Sequence, residues 1–309
     1  MKVSARLAER TYLAERVRNR LHRLWSDLPQ ARLSSELQFR ADRAAHRLHG
    51  PIVAADAGLL ESLRTTGIAV TTVDAFGLAD VVAAAQPLIA ELLAVPTPAD
   101  LPATHLAADR LADSPEIFRW GASDRVLDLL EHYFEVPVAY HGVYLRRDMA
   151  VEQPGASNLW HLDMEDRKVI KIVVYLTDVA DGDGSFQYLP LEQSLELRRS
   201  LGMTYRLGTD VDMMKLVPDD QWRTAKGSAG TVLISDTAVL FHKGRRPQQR
   251  DRVTLFYDYT SSRPTHPFYC KSALPRRHLE QLSEDLGQRA QKAVFWRPRL
   301  TEFDPDKHE

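Results

Sequence analysis

The middle of the chain consists of short runs of β-branched and aromatic residues, each bounded by glycine, aspartate or proline. The runs are VPVAYHGVYLRR, KVIKIVVYLTDV, SFQYLP, GTVLISDTAVLFH and RVTLFYDYTS. Runs of this composition favour strands. Loops rather than regular helices separate most of them, which argues against alternating β–α units. The pattern therefore predicts an antiparallel sandwich or barrel.

Helical patterns flank this strand-rich region. Apolar residues recur at helical spacing from residue 1 to about residue 49, and further helical stretches continue to about residue 134. Between them, Gly67 predicts a turn that leads into a short strand, Ile68 to Val73. A last helical segment is expected from about 275 to 295.

These patterns together predict an α+β protein with one strand-rich core and helices on both sides of it in sequence. We expect a single domain for a chain of 309 residues with 44% hydrophobic content. Its expected parts are a helical N-terminal extension (1–55), a core with flanking helices (56–270) and a C-terminal helical segment (271–309). Residues 191–229 form a long polar insertion between two strands, and insertions of this kind are often lids or binding loops.

Composition limits the classes of partner. A formal net charge of -2 gives no overall attraction to nucleic acid or to anionic membranes, so a small-molecule partner is expected. Residues 1–50 carry 11 basic and 5 acidic residues, or +6, which fits a solvated helix face better than a contact with an acidic partner. A single cysteine, no secretory signal and no membrane-length apolar run favour a cytoplasmic protein. The oligomeric state stays open.

The stretch NLWHLDMEDRK holds a histidine and an aspartate one residue apart, His161 and Asp163. The same spacing recurs at His278 and Glu280, in a charged stretch typical of a surface helix, so the motif alone identifies no site. His161 and Asp163 differ because they come just before a buried strand. Side chains at i and i+2 of an extended chain point the same way. Both ligand atoms can therefore face one cavity.

A metal site needs a third ligand, and His242 is the candidate. It ends a strongly apolar strand in VLFHKG, where the chain begins to reverse. Two imidazoles and one carboxylate on one side of a metal leave other coordination positions open. This facial arrangement selects Fe(II) for oxygen chemistry.

Ten residues beyond the second histidine, Arg252 begins the strand RVTLFYDY. Its period of two places Arg252 and Thr254 on one face, where a guanidinium and a hydroxyl are suited to hold a carboxylate. The alternatives are a salt bridge from Arg252 to Asp251 or Asp258, or a carboxylate contact from Arg250 in its place.

The remaining candidates are less specific. The residues that could line a substrate cavity are Tyr144, Arg146, Trp160 and Gln187. Core packing explains the aromatic ones equally well. The histidines without a partner at ligand spacing, which we expect to be structural or exposed, are His105, His132, His141 and His266.

The order of His-x-Asp, a later histidine and an arginine ten residues beyond, all on short strands, resembles the Fe(II)/2-oxoglutarate-dependent oxygenases. Within them the chain is most similar to the phytanoyl-CoA dioxygenase-like group. The supporting similarities are LRTTGIAVT, the tryptophan before the first ligand, LTDVADGDGSFQYLP and GTVLISDTAVLFHKG. The resemblance covers roughly residues 56 to 262.

This resemblance implies a double-stranded β-helix (jelly-roll or cupin-like) core flanked by N-terminal and C-terminal helices. It implies Fe(II) bound by His161, Asp163 and His242, and 2-oxoglutarate held by Arg252 with Thr254. With dioxygen as oxidant, the enzyme would hydroxylate or otherwise oxidise an unactivated C–H bond of a small-molecule metabolite and release succinate and CO2. Halogenation is not expected, because related halogenases have a small residue where this chain has Asp163.

The chain departs from the family pattern at two places. The family often has Pro-Gly-Ser-His after its glycine-rich turn, where this chain has LPLEQSLELR. The family often has a lysine on the strand before the first ligand, where this chain has Tyr144, Arg146 and Arg147. The second contact to the cosubstrate is therefore not assigned. The alternative function is a metal-binding protein of cupin type without redox turnover, a sensor or an isomerase, and Arg252 argues against it.

Overall fold

The computed structural model of the chain describes residues 28–96, 101–151, 156–202, 206–297 and 301–302, together with 17, 20–22 and 24–26. The part of the predicted N-terminal extension before residue 17 lies outside the described residues, as do 303–309 of the predicted C-terminal segment. Within the described residues the architecture is α+β, as the sequence predicts.

Two antiparallel sheets form the core. In spatial order, the larger sheet contains β1 (Ile68–Thr72), β9 (Thr231–Asp236), β5 (Ile170–Tyr175), β11 (Arg252–Ser261), β3 (Val138–Asp148) and β2 (Ala103–His105). The smaller sheet contains β7 (Arg206–Gly208), β4 (Trp160–His161), β10 (His242–Gly244), β6 (Phe186–Tyr188) and β8 (Arg223–Ala225). A short parallel pair joins β12 (Lys271–Ser272) to β13 (Thr301–Glu302).

The described helices lie mainly before and after the strands in sequence. They are α1 (Pro29–Ala45), α2 (Ala57–Thr66), α3 (Ala79–Ala94), α4 (Ala108–Ala112), α5 (Pro115–Gly121), α6 (Asp124–Phe134), α7 (Leu191–Leu201), α8 (Asp210–Met214), α9 (Arg276–Leu282) and α10 (Gln288–Val294). The α2 helix ends at Gly67 with φ 75°, a left-handed conformation that glycine adopts without strain. This confirms the predicted turn before β1. Among the described helices, none is both long enough and apolar enough to cross a bilayer.

The larger sheet packs its outer face against helices. Along β11, Val253, Leu255, Tyr257 and Tyr259 alternate with the inward-facing residues and are buried in the main hydrophobic core. The Tyr257 hydroxyl donates to the Ile117 carbonyl at 3.0 Å, and the Tyr259 hydroxyl donates to the Gly121 carbonyl at 2.7 Å. These bonds join β11 to α5. The strand's other face is thereby directed at the smaller sheet.

The inner faces of the two sheets pack on each other. Val173, Tyr175 and Leu233 of the larger sheet form a buried cluster, against which Phe186 and Ala225 of the smaller sheet pack. Contact between strands of both sheets is the arrangement of a sandwich. His161, Asp163, His242, Arg252 and Thr254 lie along this interior.

The described residues of the 191–229 insertion form helices and strands of the fold, and its role as a lid or binding loop stays a prediction. Its described residues supply α7, α8 and both edge strands of the smaller sheet. A capping box begins α8, in which the Thr209 hydroxyl accepts from the backbone N–H of Asp212 and the Asp212 carboxylate accepts from that of Thr209. A second hydrophobic cluster forms beneath the insertion from Trp160, Leu162, Leu189, Leu197, Met213, Val217 and Phe241.

The α1 helix lies on the surface, as the charge of the N-terminal segment predicted, and none of its residues is fully buried. Phe39 is partly buried against the main core. The Arg167 guanidinium lies 4.9 Å from the centre of the Phe39 ring and donates to the Ser35 hydroxyl at 2.9 Å. These contacts attach α1 to the loop that follows the His161–Asp163 motif.

Candidate metal centre

Neighbouring strands of the smaller sheet bring His161 and His242 together. The two residues are direct partners in the β4–β10 pairing, and their ring centroids are 4.3 Å apart. Asp163 follows β4, and its backbone N–H donates to the Thr237 carbonyl at 2.9 Å. One ligand atom from each of His161, Asp163 and His242 lies within 4.8 Å of the others. Within the described residues this is the one group of three or more His, Cys, Asp or Glu side chains that meets at metal-binding distance.

Backbone hydrogen bonds fix both imidazoles in the ligating orientation. His161 Nδ1 lies 2.7 Å from the Leu159 carbonyl, and His242 Nδ1 lies 3.0 Å from the Leu240 carbonyl. Because a carbonyl only accepts, each Nδ1 carries the proton and each Nε2 keeps its lone pair. Burial, and then the nearby His161 ring, lower the pKa of His242 to about 3. His242 is therefore neutral at physiological pH, as a metal ligand must be.

The two oxygens of Asp163 face different groups. Oδ1 lies 3.5 Å from His161 Nε2, whereas Oδ2 lies 2.9 Å from the Lys171 ammonium. Burial raises the pKa of Asp163, but Lys171 and the two histidines lower it more, so the net shift is downward. The side chain is a carboxylate at neutral pH. Oδ1 is the oxygen placed to join the two histidine nitrogens.

An aromatic ring closes one side of the site. Phe186 stacks on His242 with ring centroids 5.4 Å apart and planes at 27°. His242 is buried, with 4% of its surface exposed. Exclusion of water strengthens electrostatic interactions with a bound ion.

Arg252 lies in the interior, and all three nitrogens of its guanidinium already donate a hydrogen bond. Nε and Nη2 donate to Asp148 Oδ2 at 3.2 and 2.7 Å, and Nη1 donates to the Gly184 carbonyl. The guanidinium lies close to the histidine-bearing strand, because a Cβ added to Gly244 would lie 3.7 Å from Arg252 Nη2. Gly244 is two residues beyond His242 on β10, a rise of about 7 Å. A small dicarboxylate can span that distance.

The contacts of Asp251 and Arg250 bear on two of the alternatives for Arg252. Asp251 accepts a bond from Arg147 Nε at 2.7 Å, so it is not the partner of Arg252. Arg250 binds Asp183 at 2.6 Å, and its side chain is 60% exposed. Arg250 is therefore a surface residue and Arg252 is the interior one.

The Thr254 hydroxyl has the environment expected of a ligand contact. Thr254 is fully buried on the inner face of β11, two residues beyond Arg252. Its Oγ1 makes no hydrogen bond to any described residue. Buried polar atoms are nearly always satisfied, so an unpaired hydroxyl beside a buried guanidinium indicates a position for a polar guest.

The structure divides the four predicted substrate residues into two pairs. Tyr144 and Arg146 lie on the inner face of β3; Tyr144 stacks on Phe256 at 5.0 Å, and Arg146 donates to Asp148 Oδ1 at 2.8 Å. Trp160 is fully buried in the second cluster on the opposite face of β4 from His161, and its Nε1 donates to Asp210.

Gln187 lies with Trp160, on the face away from the metal ligands. Its Nε2 donates to the Thr224 hydroxyl at 3.5 Å, whereas Phe186, its neighbour on β6, faces His242. The structure therefore brings Tyr144 and Arg146 to the interior of the sandwich and does not bring Trp160 or Gln187 there.

The other predicted histidines have contacts that explain them without a metal. His105 meets the Tyr144 ring edge-on, His132 Nδ1 lies 2.8 Å from the Asp128 carbonyl, His141 Nε2 lies 2.8 Å from the Thr260 hydroxyl, and His266 Nδ1 lies 2.5 Å from the Met164 carbonyl. His278 Nε2 lies 2.9 Å from Asp109, on the predicted C-terminal helix.

Sequence reasoning missed Lys171 and Asp148, the two charged partners of the site. Lys171 is the only charged residue of β5, at an inward-facing position of the strand IKIVVY. An isolated lysine in an apolar strand is the signal that could have indicated it. Asp148 is opposite Arg252 in the β3–β11 register, which only the strand pairing reveals.

The fold has counterparts among solved structures. No protein-family model and no curated protein matches the chain. The non-haem α-ketoglutarate-dependent carbocyclase SnoK from nogalamycin biosynthesis aligns with 69% of this chain and 88% of its own, at 14% identity and a TM-score of 0.50.

Two further structures align less closely. EctD from S. alaskensis, with 2-oxoglutarate and 5-hydroxyectoine, covers 70% of this chain and 80% of its own at 18% identity and a TM-score of 0.46. HygX from Streptomyces hygroscopicus, with nickel, 2-oxoglutarate and hygromycin B, covers 66% and 87% at 18% identity and a TM-score of 0.45. The likeness to SnoK shows the fold, and it confirms the predicted jelly-roll core of this chain.

Proposed function

We propose that the chain is an Fe(II)- and 2-oxoglutarate-dependent oxygenase that oxidises an unactivated C–H bond of a small-molecule metabolite, with succinate and CO2 as coproducts. The observation that carries this proposal is the meeting of His161, Asp163 and His242 beside the buried guanidinium of Arg252. The shared fold with SnoK, described as an α-ketoglutarate-dependent carbocyclase, supports it.

The three side chains fit a divalent iron ion. Two neutral imidazoles and one carboxylate, all on one side, leave three of six octahedral positions for a bidentate 2-oxo acid and dioxygen. The iron would supply the activation of dioxygen that no side chain can perform. His161 and His242 would bind through Nε2, because Nδ1 of each ring is bonded to a backbone carbonyl. Asp163 would bind through Oδ1, because Oδ2 contacts Lys171.

Arg252 and Thr254 fit the distal carboxylate of 2-oxoglutarate. A guanidinium beside a hydroxyl can bind a carboxylate through several charge-assisted hydrogen bonds. Thr254 Oγ1 lacks a partner among the described residues, which is the vacancy that such a guest would fill. With that carboxylate anchored, the 2-oxo acid end would reach toward His242 and Asp163.

We propose hydroxylation, or a related desaturation or ring closure, as the outcome, because Asp163 fills the position that a halide would need. Tyr144 and Arg146 are the proposed substrate-side residues, since both lie on the inner face of β3. The proposed setting is a single cytoplasmic domain with a small-molecule partner, without nucleic acid or membrane. Placement within the phytanoyl-CoA dioxygenase-like group stays a prediction.

One observation favours a second candidate, a metal-binding protein without redox turnover. Arg252 has an internal partner in Asp148, so a buried cation at this position does not by itself require a cosubstrate. The unpaired Thr254 hydroxyl favours the oxygenase.

The test is conversion of 2-oxoglutarate to succinate by the purified protein with Fe(II) in air, in the presence of a metabolite library. The oxygenase proposal predicts succinate formation that increases with at least one library member. The matched control is Asp285→Ala, which removes an exposed carboxylate that pairs with Arg119 at 3.0 Å. Absence of 2-oxoglutarate binding and turnover under all conditions would favour the non-redox alternative.

A further inference from the structure

Asp148 joins two arginines in the interior of the sandwich. It ends β3, directly opposite Arg252 in the β3–β11 pairing. Asp148 Oδ2 accepts from Nε and Nη2 of Arg252 at 3.2 and 2.7 Å. Asp148 Oδ1 accepts from Arg146 Nε at 2.8 Å and lies 2.7 Å from Arg146 Nη2. The carboxylate thus contacts one edge of each guanidinium.

These contacts determine which part of Arg252 remains for a ligand. A guanidinium has five N–H groups. Asp148 takes one from Nε and one from Nη2, and the Gly184 carbonyl takes one from Nη1. One N–H on each terminal nitrogen lies outside these bonds, and a pair of this kind can bind a carboxylate at two points. The orientation of that pair depends on Asp148.

Burial and charge make Asp148 an effective holder of the two guanidinium groups. Only 3% of Asp148 and 5% of Arg252 is exposed. Burial raises the pKa of Asp148, but the two arginines lower it more, to about 2. Asp148 is therefore a carboxylate throughout the physiological range, and it can bind both guanidinium groups through charge-assisted hydrogen bonds.

We propose that Asp148 is a positioning residue for the cosubstrate: it holds Arg252 so that the remaining N–H groups of Nη1 and Nη2 face the distal carboxylate of 2-oxoglutarate. This inference rests on the proposed function. Without the carboxylate between them, Arg146 and Arg252 repel each other, and the aligned donor pair is lost. Asp148 itself touches neither the metal ligands nor the reacting atoms.

The test measures binding of two 2-oxo acids to the Co(II)-loaded protein by isothermal titration calorimetry. 2-Oxoglutarate carries the distal carboxylate, and 2-oxobutyrate has the same 2-oxo acid end without it. In Asp148→Asn, which keeps the shape but removes the charge, we expect 2-oxoglutarate to bind about tenfold more weakly or worse. The affinity for 2-oxobutyrate should stay within about twofold of wild type, because it makes no contact with Arg252.

Two further variants distinguish the position of the Asp148 carboxylate from its charge, and both from a general effect on stability. Asp148→Glu keeps the charge but moves the oxygens by one methylene, so positioning predicts a loss of 2-oxoglutarate affinity there as well. Asp56→Asn is the matched control, since Asp56 is a buried aspartate that holds Arg125 through two bonds of 2.8 and 2.7 Å. It should lower the melting temperature without changing either affinity.

The outcomes distinguish this inference from the proposed function. If wild type binds 2-oxoglutarate and both Asp148 variants bind it equally well or more tightly, Asp148 is not a positioning residue, and the proposed function stands. If the two acids weaken together in Asp148→Asn, the effect is on the metal end or on the whole fold, and the inference is also wrong. If the metal-loaded wild type binds no 2-oxoglutarate, the proposed function itself fails.

Discussion

His161 and His242 are direct cross-strand partners, so their rings meet because β4 and β10 pair in one register. A slip of that register by one residue would turn one ring to the other face of the sheet, where Trp160 and the second cluster lie. The meeting of the two histidines is therefore a product of strand pairing. The 80 residues between the two histidines include the insertion that supplies both edge strands of this sheet.

Removing the carboxylate ligand should abolish the metal-dependent reaction. Asp163→Ala takes away the oxygen ligand and leaves Lys171 without its buried partner, so we expect activity to fall at least about 100-fold with weaker metal binding. Asp163→Glu should keep the metal but misplace the open positions, because its oxygens lie one methylene further out. Metal content and succinate formation are the measurements. Full activity of Asp163→Ala would remove this residue from the site.

Arginine at position 252 should not be replaceable by lysine. Lysine is a point charge and cannot bind Asp148 and a ligand carboxylate with one planar group. We expect Arg252→Lys to raise the Michaelis constant for 2-oxoglutarate at least about tenfold. Arg250→Ala is the neighbouring control and should leave it unchanged, because Arg250 binds Asp183 at the surface. If Arg250→Ala raised the Michaelis constant for 2-oxoglutarate and Arg252→Lys did not, the assignment would be wrong.

The free energy of unfolding should decrease as the pH falls, because a buried histidine is neutral in the folded protein. Burial, with a smaller contribution from Arg297, lowers the pKa of His141 to about 3 from an ordinary value of 6.5. Between these values the unfolded chain binds a proton that the folded chain does not, so stability is fully present above pH 6.5 and declines as the pH falls. From pH 7.5 to 5, His141 should account for about 2 kcal/mol of the loss.

Urea unfolding of wild type and His141→Gln at both pH values measures this contribution. The variant lacks the titrating ring, so its free energy of unfolding should change less between the two conditions than that of wild type. Equal changes in the two proteins would show that His141 is protonated in the folded state.

Chloride should not be incorporated into the product. On the proposed function Asp163 would fill the position that a chloride ligand needs, so mass spectrometry of products formed in excess chloride should show oxygenated or dehydrogenated species alone. A chlorinated product from wild type would refute this outcome.

The sequence predicted the fold class and the grouping of His161, Asp163 and His242, because each of these residues lies beside a strand that local pattern reveals. Period-two alternation is enough to place Arg252 and Thr254 on one face, and the strand that follows Asp163 indicates a shared cavity. The sequence does not show which of two alternating faces is the inner one in a strand as short as β6. For this reason the sequence alone cannot show that Gln187 and Trp160 lie on the face of the smaller sheet away from His161 and His242.

Local sequence pattern also does not reveal contacts between residues that are far apart in the chain. Asp148 lies 104 residues from Arg252, and their contact depends on the β3–β11 register. The 191–229 segment looked like a loop because its edge strands, β7 and β8, are only three residues long. Strands of that length show no clear alternation, so only the pairing with β4 and β6 identifies them.

A crystal structure of the protein with Fe(II) and 2-oxoglutarate, grown without oxygen, tests the central claim most directly. The account predicts one metal ion bound by Nε2 of His161, Nε2 of His242 and Oδ1 of Asp163 at about 2.0–2.2 Å. The 2-oxo acid end should chelate that ion, and the distal carboxylate should contact Arg252 and the Thr254 hydroxyl. A metal bound by other residues, or 2-oxoglutarate with its distal carboxylate away from Arg252, would contradict the account.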